Sequence, residues 1–205
     1  MTKRIPLRPR RDLHSSSGGS LAHGGGLHVA LLLCLCFGQA SFASDAPTAP
    51  DIRNFHQVEE HLFRGAQPTA LGLQQLGALG IKRVIDLRER GSATAFEQEQ
   101  LKKLGITYIN IPFKGFSAPS DNQIEAVLKL LANTEIPTFI HCRRGKDRTG
   151  TVIACHRIQH DGWGNERALG EAKTYGISSF ERAMQQYILH FTPTRMPELS
   201  RTIAH

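Results

Sequence analysis

The stretch IHCRRGKDRTG, residues 140–150, decides how this chain is read. It has the pattern of the end of a buried strand, a short loop and the start of a helix. Five residues separate Cys142 from Arg148, and Thr149 and Gly150 follow directly. A loop of that length can wrap one phosphate dianion and turn its backbone N–H groups inward. A helix starting near Arg148 adds its positive N-terminal end at the same point. That field also favours a thiolate on Cys142. A thiolate beneath a cradled phosphate is a nucleophile placed for phosphoryl transfer.

The order His141-Cys142, five residues, Arg148-Thr149 resembles the signature of cysteine-dependent protein tyrosine and dual-specificity phosphatases. The form HCRRGKDRTG is most similar to the atypical dual-specificity branch and related bacterial enzymes. The resemblance implies that Cys142 attacks phosphorus and forms a phosphocysteine. It makes Arg148 the phosphate clamp, since a guanidinium offers two parallel donors where a lysine cannot. Thr149 either hydrogen-bonds the sulfur as a leaving group or caps the helix that follows. His141 braces the loop through backbone contacts. Gly145 and Gly150 are permissive residues, one for an unusual backbone angle and one for close packing. The expected phosphate-binding set is Arg143, Arg144, Gly145, Lys146, Asp147 and Arg148. The bases Arg143, Arg144 and Lys146 either read a substrate with several phosphates or point to solvent and raise the local potential, with local pairing of Lys146 and Asp147 as a further alternative. No metal and no organic cofactor is called for, because loop amides and Arg148 supply the electrostatics.

The proton donor is the open question. Cleavage of a phosphate monoester needs a proton for the leaving oxygen, and the resemblance implies an aspartate on a loop after the strand near residues 106–111. That loop reads PFKGFSAPSD, and its one carboxylate is Asp121 at the far end. Asp121 is either the donor or a first-turn acid behind a Ser120/Gln123 capping box. Asp86 is the alternative donor, with a brace to Arg88 as its competing role.

The rest of the chain supplies the frame. The 205 residues carry a formal charge of +7, of which +4 lies in residues 1–43. The body is only mildly basic, with no basic stripe interleaved with aromatics, so nucleic acid is not an expected partner. Residues 1–43 run from basic to apolar (27–37) to a small-x-small site, the order of a secretory signal peptide. An uncleaved anchor over residues 27–43 is the other reading, and either implies export, to the periplasm in a Gram-negative host. Residues 44–53 are expected as linker, 54–191 as the catalytic domain and 192–205 as a tail. The sequence is silent on oligomeric state. The four cysteines, Cys34, Cys36, Cys142 and Cys155, have neither disulfide-framework nor zinc spacing.

Hydrophobic periodicity places a hairpin at 58–64, with residues 64–68 breaking it, strands at 81–87, 106–111 and 137–141, and helices at 69–79, 93–104, 121–132, 149–160, 165–175 and 179–191. Ser178 and Glu181 are expected to cap the last helix as a capping box. His156 and His160 stand four apart on an expected solvated face, with no third ligand beside them in sequence. Trp163, Phe180, Tyr187 and Phe191 are expected to pack between helices. Alternating strands and helices predict a single compact α/β domain, with a mostly parallel central sheet of four to five strands flanked by helices. Ligands bind beyond the carboxyl ends of such strands, where residues 142–148 fall. The expected activity is hydrolysis of phosphotyrosine, phosphoserine or phosphothreonine proteins. Alternatives are a phosphoinositide or inositol-polyphosphate phosphatase, a phosphate-binding module without turnover, and a rhodanese-type sulfurtransferase.

Overall fold

The computed structural model describes residues 46–194. The expected leader with Cys34 and Cys36, and residues 195–205 of the expected tail, lie outside the described residues. Five strands form one sheet: β1 (His56–Glu59), β2 (Leu62–Ala66), β3 (Arg83–Asp86), β4 (Thr107–Asn110) and β5 (Thr138–Cys142). Their order is β1-β2-β5-β3-β4, antiparallel between β1 and β2 and parallel elsewhere. The central strand β5 is buried along its whole length, as expected of a parallel strand covered on both faces. Its last residue, Cys142, pairs with Ala66 at the end of β2, and His141 pairs with Asp86 at the end of β3. The signature loop therefore leaves the sheet between two strands that end at the same level.

Six helices surround the sheet: α1 (Ala70–Ala78), α2 (Ser92–Lys103), α3 (Asp121–Leu131), α4 (Asp147–His160), α5 (Asn165–Thr174) and α6 (Arg182–His190). Successive strand residues face opposite sides. Leu62, Ile85 and Ile140 join Ile124, Val127, Leu128 and Leu131 of α3 and Val152 and Ile153 of α4 on one face. Phe63, Val84 and Phe139 join Leu73 and Leu76 of α1 and Leu101 of α2 on the other. A third cluster holds α5 and α6 against α4 through Ala154, Ile158, Ala168, Leu169, Ala172, Met184 and Ile188. Helix α4 is covered on several sides, which makes it a rigid base for the loop at its N-terminus. Among the described residues no helix is long and apolar enough to cross a membrane.

Several boundaries differ from the expected ones. Part of the expected linker 44–53 belongs to the packed body: Ala49 and Ile52 are buried in the second core cluster, and the Ala66 amide donates to the Arg53 carbonyl at 2.8 Å. A short Pro/Asp-rich segment reads as linker because, among its described residues, only these two side chains are buried. Residues 64–66 do not break the hairpin but continue β2. Helix α6 starts at Arg182, not 179, and Glu181 makes no side-chain cap bond. The expected Ser178/Glu181 capping box is absent because the Ser178 hydroxyl accepts from the Phe180 amide instead. Phe180 is 86% exposed rather than packed. Trp163 is covered by the guanidinium groups of Arg167 and Arg157, at 3.6 and 4.9 Å from its ring centre.

Candidate active site

Residues 142–148 curve over the end of the sheet and bring Cys142, Arg143, Arg144, Lys146, Asp147 and Arg148 around one cavity of about 840 Å³. Cys142 is buried, while Arg143, Arg144 and Lys146 are exposed at the rim. Gly145 adopts a φ of 67°, and a Cβ there would overlap the carbonyl of Gly65. Only glycine satisfies both demands. Gly150 is different: a Cβ would meet Ala172 at 3.6 Å, an ordinary contact, so the close packing expected there is not tight. Helix α4 starts at Asp147, which puts Thr149 inside the first turn and removes its expected cap role. The Thr149 hydroxyl is fully buried without a hydrogen-bond partner among the described residues.

Arg148 crosses the mouth of the sheet. Its Nη1 donates to the carbonyls of Leu87 and Phe113, each at 3.3 Å, which fixes the guanidinium beside the loop. The loop is held from below by Arg64, which the sequence reading missed. Arg64 is fully buried; its Nη2 donates to the Gly145 carbonyl at 2.9 Å, and its guanidinium lies 4.4 Å from the Tyr175 ring centre. Asn54 donates to the same carbonyl at 2.8 Å. Burial lowers the Arg64 pKa to about 10, while Tyr175, Glu171 and Cys142 pull it up. Two of its nitrogens have no hydrogen-bond partner among the described residues. The apolar run Leu62-Phe63 interrupted by an arginine was the available signal.

Behind the loop, His141 stacks on Phe139 at 5.4 Å and puts Nε2 2.8 Å from a Glu97 oxygen. Its backbone carbonyl accepts from the Leu87 amide, so it braces the loop region through the main chain as well. Arg88 bonds Asp86 at 2.7 Å and Glu97 at 2.5 Å, and Tyr108 donates its hydroxyl to Asp86 at 2.7 Å. Burial would raise the Asp86 pKa, but Arg88 and His141 hold it below the usual carboxylate range. Asp86 is thus a fully buried, fully engaged anion and is not in the cavity, which removes it as a donor. Asp86, Glu97 and His141 could converge on a cation, but the Arg88 guanidinium already lies against both carboxylates.

Asp121 does not reach the cavity either. It is the first residue of α3, behind the Ser120/Gln123 capping box, and its Oδ1 accepts from the Tyr187 hydroxyl at 2.7 Å. It lines a separate groove with Leu128, Tyr187 and Phe191. The two carboxylates that line the cavity are Asp147 and Glu181. Gln67, Arg53, Asn54 and Met184 complete the wall together with Gly115 and with Phe116, a residue that has a φ of 60° and is 77% exposed.

His156 is not on a solvated face. It is buried, with Nε2 2.7 Å from a Glu59 oxygen, and its ring stacks on His160 at 5.1 Å. The fold thus brings the Glu59 carboxylate to His156, His160 and the adjacent Asp161, a neighbour that sequence spacing could not show. Arg157 lies against both, 3.5 Å from Glu59 and 2.8 Å from Asp161, and occupies the electrostatic place of a cation.

A cysteine ringed by a seven-residue anion loop, with an arginine at the helix start, defines a cysteine-dependent phosphatase. The family model described as a DSP-PTPase phosphatase fused to NAD+ kinase matches residues 44–189, and the chain belongs to that DSP-PTPase family. It is 28% identical over 176 residues to the dual specificity protein phosphatase TpbA of Pseudomonas aeruginosa, covering 85% of this chain and 76% of that protein. The crystal structure of P. aeruginosa TpbA superposes with a TM-score of 0.59 at 25% identity, over 70% of this chain and 87% of that one. The core catalytic domain of the PP-IP phosphatase Siw14 from S. cerevisiae shares the fold, with a TM-score of 0.61 at 24% identity, over 71% and 89%. Family membership sets aside the sulfurtransferase reading.

Proposed function

We propose that Cys142 attacks the phosphorus of a phosphate monoester held by residues 143–148 and carries the phosphoryl group as a phosphocysteine until water releases it. The observation that carries this reading is the position of the Cys142 thiol at the end of β5, inside the cavity that Arg148 borders. The backbone of the loop and the start of α4 face a bound anion, and Arg148 keeps a face of its guanidinium for two phosphate oxygens. The buried Arg64 places a second cation beneath the loop and holds the Gly145 carbonyl. The unpartnered Thr149 hydroxyl is available to the sulfur when it leaves.

The substrate reading is a phosphotyrosine, phosphoserine or phosphothreonine protein. An exposed Phe116 at the rim, in a conformation costly for a bulky residue, supports contact with the ring of an aryl ester. The structure of a cysteine-to-serine form of P. aeruginosa TpbA was solved in complex with pTyr. A second reading is a polyanionic substrate, phosphoinositide or inositol polyphosphate. It is favoured by four bases on one rim, Arg53, Arg143, Arg144 and Lys146. Export as a cleaved or anchored protein is a further proposal, supported by the order of residues 1–43 and tested by cell fractionation.

A substrate panel of phosphotyrosine and phosphoserine peptides, phosphoinositides and inositol pyrophosphates tests both readings. Cys142→Ser is expected to remove turnover while leaving binding of a phosphate analogue measurable. Full activity in Cys142→Ser ends the mechanism, and tight vanadate binding by a wild-type protein without turnover makes it a binding module. Neutralising Arg143, Arg144 and Lys146 together separates the substrates: a loss confined to the polyanions supports the second reading.

A further inference from the structure

The loop after β4 brings no carboxylate to the cavity, and both expected donors, Asp121 and Asp86, are engaged elsewhere. We propose that Glu181, on the turn before α6, is the acid that protonates the leaving oxygen and the base that then activates water. The proposal rests on the phosphatase reading above.

Of the two carboxylates that line the cavity, Asp147 is committed. Its Oδ1 accepts from the Ser178 amide at 2.8 Å, and its Oδ2 lies 3.5 Å from Arg144. Glu181 is only 4% exposed, and its Oε2 is buried without a hydrogen-bond partner among the described residues. A buried, unpaired carboxylate oxygen is costly when charged, and a proton on it removes most of that cost. The pressures on it point the same way. Burial, then the negative charge of Asp147, push its pKa above the usual value, against the pull of Arg144 and Arg148. A phosphate dianion arriving in the loop adds a further negative charge and strengthens the protonated form. Two carboxyl groups in one cavity, one held by an amide and an arginine and one left bare, are placed to take different protonation states.

The turn is well anchored. Ser178 binds Asp147 through its amide, and its carbonyl accepts from Gln185 of α6 at 2.8 Å. The donor is thus fixed to the phosphate loop itself. In the first step the Cys142 thiolate forms the S–P bond, the P–O bond to the leaving group breaks, and the leaving oxygen takes the Glu181 proton. In the second, water attacks phosphorus, the Glu181 carboxylate takes a water proton, and the S–P bond breaks to restore the thiolate. Phosphate leaves, and Glu181 is again protonated.

The test is the activity of the full chain on aryl phosphates of graded leaving-group basicity, across pH, for wild type, Glu181→Gln and Asp121→Asn. Glu181→Gln is expected to lose on the order of 10²-fold in kcat on the most basic leaving group and only a few-fold on nitrophenyl phosphate. It should lose the alkaline limb of the pH profile while still binding vanadate. Asp121→Asn should keep the wild-type dependence on leaving group. Equal losses across the series, a retained alkaline limb in Glu181→Gln, or a steepened dependence in Asp121→Asn overturns the proposal. If Glu181→Gln does not fold, Glu181→Asp replaces it. It should lose activity mainly on basic leaving groups and keep its alkaline limb; unchanged activity overturns the assignment. Cys142→Ser reports on the reaction class independently, so failure of the donor assignment is distinguishable from failure of the phosphatase reading.

Discussion

Gly145 shows how much a single position in the loop must satisfy. Its φ lies in the left-handed region, its missing Cβ makes room for the Gly65 carbonyl, and its own carbonyl takes donors from Arg64 and Asn54. Gly145→Ala is expected to destabilise the fold by about 3 kcal/mol, read in a denaturant titration, because β2 and the loop cannot both keep their places. The glycine was legible as a permissive residue. The partner that makes it obligatory was not, because Gly65 lies 80 residues away in the chain. Glu181 was visible in sequence but read as a helix cap, since Ser-x-x-Glu before an apolar run is the pattern of a capping box. Burial in the wall of the cavity that Cys142 also lines is a tertiary fact, and no local pattern encodes it.

At the scale of elements, the loop depends on groups delivered by β3 and α2. Asp86 and Arg88 sit at and just beyond the end of β3, and Glu97 comes from the buried side of α2 to reach both Arg88 and His141. Glu97→Ala leaves the Arg88 charge half-paired in a buried place and is expected to cost about 3–5 kcal/mol in unfolding free energy. The measurement is the shift in urea midpoint, and a shift near zero would mean that solvent reaches Arg88. On the far part of α4, burial pushes the His156 pKa below 6.5, with Glu59 pulling it up, His160 pushing it down and Asp161 pulling it up beside Arg157. The folded protein then binds that proton less readily than the unfolded chain does. The contribution is intact above pH 6.5 and is lost as pH falls from there through the folded value. His156→Gln should therefore flatten the acid side of the stability curve below pH 6.5. An identical slope in the variant would rule this out. The helix spacing of His156 and His160 was plain in sequence; the Glu59 that buries one of them arrives from the first strand.

For the molecule as a whole, element order and sheet class were legible because each parallel strand is a short apolar run followed by a helix of clear period. The N-terminal edge of the body was not. Ile52 packs against Gly65, Gly72 and Phe139, and Arg53 reaches the cavity rim beside Asn54. Ile52→Ala is expected to cost about 2–5 kcal/mol, measured by thermal or chemical unfolding. A chain started at residue 54 should lose at least as much stability, together with one base of the rim. Two buried side chains in a polar segment give no periodic signal, so composition alone put the boundary too late.

Cys155 has a consequence for the fate of the enzyme under oxidants. It lies in the same core cluster as Cys142, and burial pushes its thiol far up, so it stays protonated and enclosed. A sulfenic acid on Cys142 would find no second thiolate among the described residues to condense with. Peroxide damage at this site would then be reversed by a thiol from outside the folded body, and in its absence would proceed to the irreversible acids.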